Sequence, residues 1–143
     1  MHPVEQIVEF IHSKGYKCYG EKFRDDKGEE LQMLSMSIPC GDETIFLEMD
    51  PQESTAHLHF AYWHEAFPFK HLEDAVELLG EILDCKRCVL NSYKEEIGPK
   101  TLILTNLEKV EDLNHEYVEE KYGKGRIVTL TYADPERNRT INT

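Results

Sequence analysis

Thr55-Ala56-His57-Leu58-His59-Phe60-Ala61-Tyr62-Trp63-His64 is the stretch on which the fold turns. Its apolar residues recur at every second position, the period of a strand with one face buried. Leu58, Phe60 and Tyr62 then share one face, and His57, His59, Ala61 and Trp63 share the other. The first set reads as core. The second is too polar for ordinary core and too aromatic for ordinary surface, which makes it the candidate working face.

Three similar runs precede this strand, at about residues 16–24, 30–38 and 43–50. Asp25-Asp26-Lys27-Gly28, Pro39-Cys40-Gly41-Asp42 and Pro51-Gln52-Glu53-Ser54 lie between them as turn signals. Short turns join antiparallel neighbours, so the four runs are expected to form a meander. Leu34, Met36 and Ile38, then Ile45, Leu47 and Met49, should join Leu58, Phe60 and Tyr62 on the buried face. If the turns are symmetric, Glu48 lies opposite His57, Phe46 opposite His59, Ser35 beside Glu48 and Met33 beside Asp50. The open face would then gather Met33, Ser35, Phe46, Glu48, His57, His59 and Trp63.

Around the meander the period changes. Val4, Ile7, Val8 and Ile11 recur at helical spacing between Pro3 and Gly15, giving a first helix over about residues 3–14. Leu72, Ala75, Val76, Leu79, Ile82 and Leu83 form a second helical stripe. Gly80 inside it costs roughly 1 kcal/mol against Ala, a cost that a close approach to the sheet would justify. Two apolar strands, Cys88–Lys94 and Thr101–Leu107, follow. A third helix over about residues 110–122 has Val110, Leu113, Tyr117 and Val118 inward. Arg126–Tyr132 alternates like a last strand. The order αββββαββαβ predicts an α+β fold, mainly antiparallel, with helices on one face of the sheet and the other partly solvated. A chain of 143 residues fits one domain, with residues 134–143 expected as a loose tail.

The formal net charge of −12 is spread along the chain. It disfavours nucleic acid and anionic membranes, whose phosphates attract Lys and Arg. It suits a basic protein partner. Residues 108–120 hold Glu108, Glu111, Asp112, Glu116, Glu119 and Glu120 against Lys109. Such a run is either a solvated helix face or a docking surface whose charge raises an on-rate. No apolar run is long enough to span a membrane. No basic segment leads into an apolar one near the N-terminus, so a cytoplasmic location is expected. Cys18, Cys40, Cys85 and Cys88 are then reduced thiols. Cys85-Lys86-Arg87-Cys88 has zinc or redox spacing, but a second close ligand pair is missing and the motif falls where a helix ends.

Three readings of the histidine face stay open. It can be an ordinary exposed sheet. It can be a recognition surface, because Trp, Phe, Met and His anchor interfaces. Or His57, His59 and Glu48 can hold a metal or act in acid–base chemistry. His64 and Glu65, adjacent on a strand, point opposite ways and do not readily cooperate. No nucleophile elbow, phosphate loop or His-Glu-x-x-His motif is present.

Tyr62-Trp63-His64-Glu65-Ala66-Phe67, followed by the acidic-faced helix ending Glu81-Ile82-Leu83-Asp84, resembles a group of small bacterial proteins. In that group a strand ending in a Trp-His-x-His-Phe-like sequence precedes a helix and a short strand. Ala66 stands where that pattern has its second histidine. Arg126-Ile127-Val128 and the tract Asp134–Thr140 are also similar. The resemblance implies a bacterial, cytosolic protein and assigns no chemistry. Some similar small acidic α+β proteins neutralise toxins or other effectors, a fold-level analogy. The expectation is a non-enzymatic acidic binding protein, an immunity or inhibitor protein for a basic effector, with no cofactor or metal. Its candidate binding residues are Met33, Phe46, Glu48, His57, His59, Trp63, Glu116, Glu119 and Glu120. The alternatives are a small-molecule or metal-dependent enzyme using the His57, His59 and Glu48 face, and a phage-type inhibitor that mimics nucleic acid.

Overall fold

A computed structural model describes residues 3–24, 30–50, 53–94, 97–106 and 113–143; side chains at 3–5, 20–24, 30–34, 94 and 97–106 are outside the description. The chain divides into two compact units, Met1–Phe60 with His64–Gly80, and Ala61–Trp63 with Glu81–Thr143.

In the first unit, helix α1 (Pro3–Ser13) buries Ile7 and Ile11. It stops at Gly15, whose φ of 85° is open to glycine, and whose N–H donates to the His12 carbonyl at 3.0 Å. Strands β1 (Tyr19–Arg24), β2 (Glu30–Cys40), β3 (Glu43–Asp50), β4 (Thr55–Phe60) and β5 (Trp63–Pro68) form one sheet in that order. The meander therefore has a fifth strand. Met36, Ile38, Ile45, Leu47, Met49, Leu58 and Phe60 are buried as the alternation requires. Leu34 falls among the side chains outside the description.

The strand expected over residues 55–64 breaks at its middle. Ala61 and Tyr62 have φ of 49° and 70°, both left-handed, and they reverse the chain between β4 and β5. Two successive positive φ values match the right-handed twist of a hairpin. The break corrects two assignments. Tyr62, expected in the core, is 70% exposed, and Trp63, expected on the open face, is buried at 9%. A two-residue loop advances the alternation differently from a continuing strand. Trp63 therefore lands on the face that Leu58 and Phe60 bury, and His64 returns to the histidine face.

Helix α2 (Leu72–Leu83) buries Ala75, Leu79, Ile82 and Leu83. The close approach at Gly80 is to α1 rather than the sheet, for an added Cβ would lie 2.8 Å from Cζ of Phe10.

In the second unit, β6 (Arg87–Lys94), β7 (Ile97–Asn106), β8 (Arg126–Thr131) and β9 (Arg139–Asn142) form a sheet ordered β7-β6-β8-β9. All its pairings are antiparallel. The α+β class and the antiparallel meander are as expected, and the later strands form this second sheet. Strand β6 is central, and Cys88, Val89, Leu90, Asn91 and Ser92 are all buried, so both of its faces are covered.

Helix α3 (His115–Tyr122) starts later than residue 110. The side chain of Asn114 accepts from the Tyr117 N–H at 2.8 Å and caps it. Leu113 and Val118 are buried, but Tyr117 is 43% exposed rather than inward. Val110 lies outside the described residues. The tail is not loose. Strand β9 pairs along β8, the Thr143 N–H donates to Arg126 O at 2.9 Å, and Thr143 Oγ1 donates to Gly123 O at 2.8 Å.

These assignments separate three neighbouring aromatics. Phe60→Ala and Trp63→Ala should each cost about 3–5 kcal/mol. Tyr62→Gly should stabilise by about 1 kcal/mol, because a left-handed residue with a Cβ is strained there. Urea titrations of the three variants check this, and a stabilising Trp63→Ala would invert the face assignment.

Candidate functional site

The open face of the first sheet is built row by row from strand register. Tyr19 pairs with Ser37, Ser37 with Phe46, and Phe46 with His59. The Ala61–Tyr62 reversal adds His64 beside His59, with ring centroids 4.6 Å apart. The next row runs Ser35, Glu48, His57. Every expected pair of described side chains is met: Glu48 with His57, Phe46 with His59, and Ser35 with Glu48. The side chain of Met33 falls outside the description, and Trp63 leaves the face.

Sequence reasoning missed His64 because Ala61-Tyr62 carries none of the Gly, Asn or Asp that mark such a turn. It also missed Tyr19, 59% exposed at the end of the His59 row. The alternation of β1 alone did not fix which of its faces was open.

Three imidazoles thus meet on two adjacent strands. His57 Nδ1 and His64 Nε2 are 3.0 Å apart in rings inclined by only 8°, with centroids 5.3 Å apart. This is an imidazole–imidazole hydrogen bond, with one nitrogen donating and the other accepting according to tautomer. His57 and His59 centroids are 6.4 Å apart. Glu48 Oε2 stands 3.8 Å from His59 Nε2. That nitrogen is shielded from solvent without a hydrogen bond, although the ring around it is half exposed. Burial first, then the neighbouring His64 and His57, hold the His59 pKa below its ordinary 6.5; Glu48 opposes them.

The arrangement suits a hydrogen-bonded cluster better than a ligand set. The nitrogens of His57 and His64 point at each other rather than at a common third point. Among the described residues, no group of three or more His, Cys, Asp or Glu side chains is placed to hold a metal ion.

Cys85 and Cys88 belong to packing. Cys85 has φ 59° and ends α2: its N–H donates to Ile82 O at 3.0 Å, and the Lys86 N–H to Glu81 O at 2.8 Å. This is the paired-bond helix stop in which glycine usually sits. Burial, with a small push from Cys85, raises the Cys88 thiol to about 11, while a hydrogen bond from the Tyr132 hydroxyl opposes the rise. A thiol so shifted is protonated at neutral pH and a poor nucleophile.

On α3, Glu116 and Glu120 are exposed. Glu119 is engaged, 3.7 Å from His115 and 3.6 Å from Lys124. Glu108, Glu111 and Asp112 lie outside the described residues. Sequence reasoning also missed Asn91, which is 1% exposed and donates to the Ala61 carbonyl at 3.0 Å. A polar residue after Cys88-Val89-Leu90 was the available signal. No protein-family model, curated protein or solved structure matches this chain.

Purified protein should carry no stoichiometric zinc by elemental analysis. One zinc per chain, lost in a His57→Ala/His59→Ala variant, would reverse this reading of the cluster.

Proposed function

We propose that this protein is a non-enzymatic binding protein whose partner is a basic protein. Immunity to a toxin, or inhibition of another basic effector in a bacterial cytoplasm, is the concrete form. The observation that carries the reading is the open sheet face. Tyr19 and Phe46, 59% and 40% exposed, lie on one cross-strand row with His59 and His64. Aromatic side chains exposed on a sheet face are the material of interface hot spots. No described helix is long and apolar enough to cross a membrane.

The sign of the partner rests on charge. The chain carries −12, Glu48 contributes to the face itself, and Glu116 and Glu120 are exposed on α3. An acidic protein speeds encounter with a basic one and repels nucleic acid. The nucleophile elbow, phosphate loop and zinc-helix motifs that would favour an enzyme are missing from the sequence.

The test is photo-crosslinking from position 46 in cells, followed by kinetics with the protein captured. Phe46→Ala should raise the dissociation rate roughly fivefold or more, as truncating an anchor costs over about 1 kcal/mol. Glu116→Gln/Glu119→Gln/Glu120→Gln should leave folding nearly unchanged, because surface charges contribute little. If α3 takes part in steering, the same variant slows association and flattens its salt dependence. Normal binding by both variants would remove both surfaces from the interface.

A further inference from the structure

Among the described residues, strand β5 is the outer strand of its sheet, next to β4. On the solvent face, His64 ties it to β4 by the hydrogen bond to His57 and the stack on His59. A bond between two imidazole nitrogens needs a hydrogen on one and a lone pair on the other. When both rings are protonated, every ring nitrogen is a donor and the bond cannot form. Two cations then face each other across the strand pair, and like charges opposite each other destabilise it.

The surroundings neutralise that charge only in part. Strand β3 presents Glu48, 3.8 Å from His59. Two residues on along the same face, opposite Thr55, it presents Asp50, whose Oδ1 accepts from the Glu53 N–H at 3.3 Å. Strand β2 presents Ser35 and Ser37, both uncharged. The side chain of Glu21 on β1, paired with Ser35, is outside the description. Among the described side chains, three imidazoles therefore share the face with two carboxylates, and Glu48 is the one set beside a histidine.

We propose that His57, His59 and His64 form an acid-operated release for β5, in which protonation of both His57 and His64 replaces a cross-strand hydrogen bond by repulsion and frees the edge strand. The sign agrees with His59. Its folded pKa lies below the ordinary 6.5, so the closed form binds this proton less readily than an open one. The stabilisation is complete above about 6.5 and declines as pH falls through the lowered value. The release needs no partner and stands apart from the docking reading.

Amide hydrogen exchange on the full chain tests it, at about pH 7.5 and about pH 5.5, after correction for intrinsic exchange. Opening of β5 amides should rise about tenfold or more relative to β2 and β3 amides. In His64→Gln, whose side chain is exposed, the relative rise should shrink below about twofold. A uniform loss of protection across the sheet, or an undiminished β5 response in His64→Gln, would overturn the proposal. A second readout is the nitrogen–nitrogen coupling across the His57–His64 hydrogen bond. It should be present near pH 7.5 and gone near pH 5.5, and its persistence in acid would also overturn the release.

Discussion

The left-handed reversal at Ala61 and Tyr62 is the constraint on which the candidate site depends. Each non-glycine residue held there costs about 1–2 kcal/mol. The hairpin offsets that cost in two ways. The β4–β5 ladder adds backbone hydrogen bonds, each contributing about 1 kcal/mol net. Trp63 also reaches the buried side, a burial of about the same size as the strain or larger. Asn91 adds a hydrogen bond to the Ala61 carbonyl, so an otherwise buried acceptor in the turn is satisfied. Because the reversal takes two residues, His64 returns beside His59. A continuing strand would have carried it to the opposite face.

The same conformation serves a second purpose at Cys85. There a left-handed non-glycine residue ends α2 and closes both bonds of the helix stop. The cysteine spacing that suggests zinc or redox chemistry is thus explained by a helix terminus followed by a buried strand. Cys88 faces Tyr132 in that interior, where burial holds the thiol protonated. Local backbone geometry accounts for the motif without any reaction.

Much of the architecture was legible in the sequence, and its failures share a cause. Strand alternation identified the core from Met36 to Phe60. The turn at Gly41-Asp42, with Gly41 at φ 66°, fixed the register of β2 on β3. The four-residue connection after Asp50 fixed β3 on β4, so Glu48, His57, Phe46 and His59 came together as expected. Reading failed at Ala61-Tyr62, where no residue announces a turn and tertiary contacts impose one. It failed again at residues 134–143, whose polar composition suggests a loose tail while Thr143 stitches them to Arg126 and Gly123. Gly80 was recognised as a close approach, but periodicity cannot say that the neighbour is Phe10 on another helix.

The distribution of charge sets what each surface can do. Of the −12 of the chain, the open sheet face carries Glu48 and Asp50 among its described side chains. That face is suited to short-range contact through Phe46 and Tyr19, which governs how long a complex lasts. Long-range attraction must come from carboxylates elsewhere, such as Glu116 and Glu120, and within about 8 Å of screening at physiological salt. Acid alters the two contributions differently. Each proton taken up by an imidazole adds positive charge to the anchoring surface, whereas one taken up by a carboxylate removes negative charge from the steering surface. If the partner is basic, as proposed, protons on those imidazoles oppose its docking on this face while the exposed carboxylates of α3 still attract it.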